Sequence, residues 1–188
     1  MSAPFTYHTD FLPASAGALF DQLRNELAWV RHGEGTVPRM EYYVSKLGLP
    51  YTYGKGEFAR TYQPQPTHDA IEAIRIGVEM CFDEGVTFEV CFLNRYLNQS
   101  DHLGWHSDNS PEMDDGRPIA IVSFGVSREI QFRTIGSADQ VERLVLEHNS
   151  LCFMAPGMQD THQHRIPKAG RQCGERVSLT FRGYKEPA

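Results

Sequence analysis

The hydrophobic positions of this chain change period twice. Over 16–30 they recur at helical spacing, with Phe20, Leu23 and Leu27 on one face and Ser15 placed to cap the first turn. Residues 31–66 lose that period; rich in Gly, Pro and Tyr, they read as short strands joined by loops. A second helix is predicted after Thr67, a candidate cap, with Asp69 in its first turn. Ile71, Ile74, Val78 and Cys81 or Phe82 lie along one face of it. From Val86 onward the pattern becomes strand-like, over 86–97, 118–126, 128–134, 142–147, 150–155 and 176–183, with turn signals such as Asp115-Gly116 and Ala169-Gly170. Many short strands after a helical opening predict a mostly β fold with flanking helices, a jelly roll (double-stranded β-helix) with an interior pocket.

Composition narrows the function classes. At 188 residues the chain has the length of one ordinary domain, and 40% hydrophobic with 22% charged content is that of a soluble globular protein. Met1 to His8 lacks a basic stretch followed by an apolar run, so no signal peptide is expected. The apolar stretches are strand-sized, which excludes a helical membrane span. Cys81, Cys91, Cys152 and Cys173 form no C-x-x-C pair, which points to reduced thiols in a cytoplasmic setting (or a nuclear one, in a eukaryote). A net charge of −6 with no obvious basic face argues against an avid DNA coater, but not against an enzyme that touches nucleic acid locally. No feature marks an obligate protein partner.

The chemistry sits in a few ordered pieces. His106-Ser107-Asp108 places an imidazole and a carboxylate two residues apart, on the same side if they end a strand. Alone, such a pair is ordinary in surface loops. His162 and His164 share the spacing, and either can supply a second imidazole. Two His and one carboxylate make the facial triad of non-haem Fe(II) oxygenases. In the last strand Val177, Leu179 and Phe181 alternate with Arg176, Ser178, Thr180 and Arg182. One face is apolar; the other aligns two guanidiniums suited to a dicarboxylate such as 2-oxoglutarate. Taken alone, that strand reads more simply as half-exposed with a solvated basic face. Asn94 and Tyr96 share one side of an earlier strand and can hydrogen-bond a carboxylate without adding charge, although a plain strand end would look the same. Gly125 and Gly104-Trp105 mark bends or close approaches.

Together, Leu93-Asn-Arg-Tyr96, Asp101-His-Leu-Gly-Trp-His106-Ser-Asp108, Pro118-Ile-Ala-Ile-Val-Ser-Phe-Gly125, Arg128-Glu-Ile-Gln-Phe-Arg133, Gln163-His-Arg-Ile-Pro167 and Arg176-Val-Ser-Leu-Thr-Phe-Arg182 resemble the AlkB family of nucleic-acid dealkylating dioxygenases. Val37-Pro-Arg39 and Gly48-Leu-Pro-Tyr51-Thr-Tyr53 are similar to its substrate-lid segment. The resemblance covers roughly 37–184 and implies a single dioxygenase domain over 1–188, with N-terminal helices and lid over 1–85 and a catalytic jelly roll over 86–184. It implies Fe(II) held by His106, Asp108 and His164, and 2-oxoglutarate held by Asn94, Tyr96, Arg176 and Arg182. It implies O2 as oxidant, and an alkylated base as substrate, hydrogen-bonded near Tyr51 and stacked between Tyr53 and His106. Arg39 would lie at the nucleic-acid side of the pocket. Hydroxylation of an N-alkyl carbon would then release the group as an aldehyde.

Three departures bear on the substrate. Ser110 stands where repair members carry an acid that favours cationic bases of the 1-methyladenine and 3-methylcytosine type; Glu112 or Asp114 can compensate only by reaching back. Ser178 replaces an Asn that commonly helps hold the co-substrate. The segment Trp29 to Pro38 has no apolar residue placed to wedge into a duplex, which favours single-stranded DNA or RNA. Two other functions compete: the same chemistry on a neutral modified nucleotide, protein side chain or small molecule, motivated by Ser110, and a non-catalytic binding module. The module would close its metal site with protein ligands, which the arginine pair argues against.

Overall fold

The computed structural model describes residues 5–33, 37–54, 59–82, 85–137 and 141–185. In chain order the elements are β1 (Phe5–His8), α1 (Ala16–Glu26), β2 (Met40–Ser45), β3 (Tyr51–Tyr53), β4 (Arg60–Tyr62), α2 (Asp69–Glu79), β5 (Val90–Tyr96), β6 (Leu103–His106), β7 (Ile119–Gly125), β8 (Arg128–Thr134), β9 (Val141–Leu146), β10 (Ser150–Met154), α3 (Met158–Thr161), β11 (His162–Ile166) and β12 (Arg176–Arg182). A six-stranded sheet runs β1-β10-β7-β12-β5-β2 and a four-stranded sheet runs β6-β11-β8-β9; β3 and β4 form a separate hairpin. This is the jelly roll that the strand pattern predicts.

Alternation along the strands decides what each face does. Val177, Leu179 and Phe181 point outward from the larger sheet and pack with Leu23, Ile71, Ile74 and Val78, the apolar stripes of α1 and α2. A second cluster fills the space between the sheets, with Ile119, Ile121 and Met154 from one and Ile130, Phe132 and Ile166 from the other. Arg176 and Arg182, on the opposite face of β12, are 1% and 4% exposed. The solvated-basic-face reading of this strand is therefore wrong: both of its faces are interior.

Local differences have local causes. α1 ends at Glu26 rather than near 30, because Leu27 is extended (φ −82°, ψ 141°) and the Trp29 indole folds back to donate to the Leu23 carbonyl at 2.9 Å. Ser15 precedes α1 without a side-chain capping bond. α2 is capped by His68, whose Nδ1 accepts from Ala70 N at 3.1 Å, and not by Thr67. β1, β6, α3 and β11 are elements additional to the predicted set. β1 carried a two-residue alternation, Phe5 and Tyr7 inward, too short to weigh alone. Gly125 has φ 95°, and a Cβ there would collide with the Glu175 carbonyl where β7 meets β12. No helix among the described residues is long and apolar enough to cross a membrane. Residues 1–4 and 34–36, which belong to the signal-peptide and wedge readings, lie outside the described residues.

Candidate active site

The cavity between the two sheets collects almost every residue singled out above. His106 ends β6, Asp108 lies two residues beyond, and His164 sits opposite His106 on β11. His106 Nε2 is 3.8 Å from Asp108 Oδ1, and His164 Nε2 is 3.6 Å from Asp108 Oδ2. One ligand atom from each of the three lies within 4.8 Å of the others. Ligands at about 2.1 Å from a shared ion stand roughly 3–4 Å apart, so the group needs little closing to hold one. His106 Nδ1 lies 2.9 Å from the Gly104 carbonyl; donating there leaves the Nε2 lone pair facing Asp108 and His164. His162 separates from His164, its Nδ1 2.8 Å from Thr161 Oγ1 and outside the group.

Electrostatics match a cation bound among neutral imidazoles and a carboxylate. Burial holds His164 down to about 3, with His106 adding to the effect, and burial lowers His106 as well. Burial alone would raise Asp108, but Arg182, His164, His106 and Arg39 outweigh it and keep the carboxyl below its usual range. Asp108 is further fixed by its backbone N–H, which donates to the buried Gln159 Oε1 at 2.9 Å, and by Arg182, whose guanidinium donates to its carbonyl.

The arginines carry the most telling feature of the cavity. Arg176 donates to Ser123 Oγ at 2.9 Å and lies over the Tyr96 ring at 5.2 Å. Its Nε and Nη1, and Nε of Arg182, are buried without a hydrogen-bond partner. Buried donors on a cation are costly when unpaired, so the cavity is built to receive an anion. Asn94 Oδ1 accepts from Arg39 Nε at 2.6 Å, which turns its amide NH2 to other partners. Ser178 lines the same cavity.

Tyr51, Tyr53 and Arg39 are placed differently from one another. Tyr51 is 3% exposed, and its hydroxyl accepts from Arg182 Nη1 at 3.1 Å and from Ser110 Oγ at 3.3 Å. The Tyr53 ring stands 6.0 Å from that of His106, edge-on at 68°. Arg39 lines the cavity but is 5% exposed, its Nη2 paired at 2.5 Å with a wholly buried Glu41. Arg39 is buried because a buried carboxylate demands a buried cation. Tyr62, which sequence reasoning passed over, donates to the other Glu41 oxygen at 2.9 Å and completes that pair.

A groove beside the cavity is lined by Tyr53, His106, Ser107, Asn109, Ser110 and Glu112. Ser110 also donates to the Thr52 carbonyl at 3.2 Å, and Glu112 Oε1 accepts from Thr52 N at 2.9 Å. Glu112 thus reaches the groove while tying the loop after Asp108 to the β3–β4 hairpin. Asp114 does not reach it; it pairs with Arg117 at 2.9 Å and accepts from Gly116 N.

Comparison with known proteins agrees with this geometry. A sequence model of the 2OG-Fe(II) oxygenase superfamily matches residues 6–182. The chain is 36% identical over 154 residues to the Mus musculus DNA oxidative demethylase ALKBH2, covering 78% of this chain and 62% of that protein. It is 32% identical over 193 residues to the Homo sapiens protein of the same name, with 94% and 72% covered. The Homo sapiens alpha-ketoglutarate-dependent dioxygenase alkB homolog 3 is 33% identical, with 90% and 62% covered. The chain thus spans 62% to 72% of the length of these relatives. The solved structure of OsALKBH1 shares the fold at a TM-score of 0.65 and 16% identity, with 98% of each chain superposed. A superfamily match that runs almost the full length of the fold, joined to a human relative at 32% identity, shows that this chain belongs to the AlkB family of 2OG-Fe(II) oxygenases.

Proposed function

We propose that the protein is an Fe(II)- and 2-oxoglutarate-dependent dioxygenase that removes alkyl groups from N-alkylated bases of nucleic acid, taken as single strands. The observation that carries it is the pair of buried guanidiniums, each with at least one nitrogen left without a hydrogen-bond partner, beside a His-Asp-His group in one cavity. In this reading His106, Asp108 and His164 hold the metal and leave positions open. Arg182, which bonds the Asp108 carbonyl, and Arg176, backed by Ser123 and Tyr96, would each grip a carboxylate of the co-substrate. Asn94 donates its amide, and Ser178 lies beside it on β12 where a larger amide is usual in the family.

Iron with 2-oxoglutarate and O2 supplies the oxidant that hydroxylates the N-alkyl carbon, after which the group leaves as an aldehyde. The chain's own task is to bind, aim and exclude water. Ile121, Ile130 and Leu146 wall the cavity with apolar surface. Tyr53 and His106 flank the groove and offer their rings to an unstacked base. Tyr51 and Ser110 contribute hydroxyls at the inner end, and Arg39 holds Asn94 in place from behind. The relatives named for a substrate are named for DNA, which favours a base over a protein side chain or small molecule.

The test is aldehyde and succinate release with Fe(II), 2-oxoglutarate and single-stranded oligonucleotides carrying 1-methyladenine, 3-methylcytosine or 3-methylthymine, with duplex controls. Formaldehyde in step with succinate is expected. Succinate without any change in the oligonucleotides would reject the base substrate and leave the oxygenase chemistry standing.

A further inference from the structure

We infer that Trp105, contacted by the guanidiniums of both Arg133 and Arg165 on the outer face of the smaller sheet, is a positioning residue that holds His106 in place for metal binding. This rests on His106, Asp108 and His164 being the metal ligands.

β6 is an edge strand, paired only with β11. Its register is His106 opposite His164 and Leu103 opposite Ile166, three steps against two, so Gly104-Trp105 forms a bulge. The bulge is what lets both Leu103 and His106 line the cavity, since strict alternation would turn one of them out. It also interrupts the backbone ladder immediately before a ligand. Something other than strand pairing must therefore fix the strand.

Trp105 meets that need. The Arg133 guanidinium stands 4.3 Å from the centre of its ring and that of Arg165 4.5 Å. Two cations on one indole make a stack in which each contact is favourable. Both arginines are themselves held by neutral amides: Arg133 donates to Gln163 Oε1 at 2.7 and 3.1 Å, and Arg165 to Gln131 Oε1 at 2.7 Å. The stack links β6, β11 and β8, and Gln163 and Arg165 flank His164 on its strand. On the other side of His106, Ser107 Oγ donates to the His162 carbonyl at 2.8 Å. His106 is thus pinned at both neighbours, while its own Nδ1 bonds the bulge carbonyl of Gly104. Partners that hydrogen-bond a ligating imidazole, as the Gly104 carbonyl does for His106, typically govern metal affinity by about ten- to a hundredfold, and Trp105 fixes the bulge that presents that carbonyl.

The experiment is Mn(II) titration of metal-free protein, followed by electron paramagnetic resonance of the free ion and needing no turnover, with a melting curve for each variant. Trp105→Ala should weaken Mn(II) by about tenfold or more, and Trp105→Phe, which keeps an aromatic face, should stay within about threefold. If Trp105→Ala does not fold, Arg165→Gln removes one side of the stack and should weaken the ion by several-fold. His106→Ala is the control. A lowered melting temperature with unchanged Mn(II) affinity in the Trp105 and Arg165 variants, while His106→Ala loses the ion, would overturn the positioning role alone. Unchanged affinity in His106→Ala as well would overturn the metal assignment beneath it.

Discussion

Arg176→Met separates what the fold wants from what the site wants. The guanidinium is 1% exposed, has two unpartnered nitrogens, and burial pushes it down to about 10. That depression corresponds to a cost on the order of 3 kcal/mol, at about 1.4 kcal/mol per tenfold, for keeping the charge in the ligand-free cavity. Water in the cavity will reduce this, so relief of roughly 1–3 kcal/mol is expected when methionine replaces the charged head and keeps an apolar stem. For a chain of this size, about 1 kcal/mol moves the melting temperature by roughly 2–4 °C. The ligand-free variant should therefore melt a few degrees above the unaltered protein. Its affinity for 2-oxoglutarate should collapse, because a buried carboxylate left without its cation costs about 3–5 kcal/mol, a factor of roughly 150 to several thousand. Scanning calorimetry on Mn(II)-loaded protein reads both effects. At about 100 times the dissociation constant, 2-oxoglutarate should stabilise the unaltered protein by roughly 2.7 kcal/mol and the variant hardly at all. A variant that melts lower without ligand, yet still gains stability from 2-oxoglutarate, would refute the view of Arg176 as a strained anion receptor.

Other expectations follow from particular contacts. His164→Ala should abolish succinate production; turnover at the unaltered rate would dismiss His164 as a ligand. Gly125→Ala should destabilise by about 2–4 kcal/mol in denaturant melts, since φ is 95° and the Cβ meets the Glu175 backbone; a loss under about 0.5 kcal/mol would contradict this. Ser110→Glu adds a carboxylate to the groove beside Glu112 and should raise the preference for cationic 3-methylcytosine over neutral 3-methylthymine by severalfold in competition assays; an unchanged ratio would count against Ser110 facing the base. Thiol labelling of the native protein should modify exposed Cys81 quickly and spare buried Cys91 and Cys152, the latter pushed up to about 12 by burial; fast reaction at Cys152 would contradict its burial.

Much of the scaffold was legible because it repeats. That Val177, Leu179 and Phe181 share one face of β12 and Arg176 and Arg182 the other follows from period two alone, and the α2 stripe from period 3.6. Less legible were features set by partners distant in sequence. Whether the arginine face of β12 met solvent depended on the smaller sheet closing over it. Glu41 reads as an ordinary strand carboxylate, and only Arg39, Tyr62 and Arg60 around it explain why it is buried. Choosing His164 over His162 took the family pattern in the sequence, and in the structure it took the distance to Asp108.

What the sequence determined by itself was most of the elements, though not β1, β6, α3 or β11, and the chemical types available, because periodicity, caps and spacing are local properties of a chain. The strand faces, the His-x-Asp pair and the two terminal-strand arginines are of that kind. Only the tertiary structure decided that His106, Asp108 and His164 meet within 4.8 Å, that a bulge at Gly104-Trp105 turns His106 inward, and that Trp105 meets arginines from two other strands. Those facts depend on register and sheet closure, which are fixed by burial summed over the whole molecule rather than by any neighbouring residues.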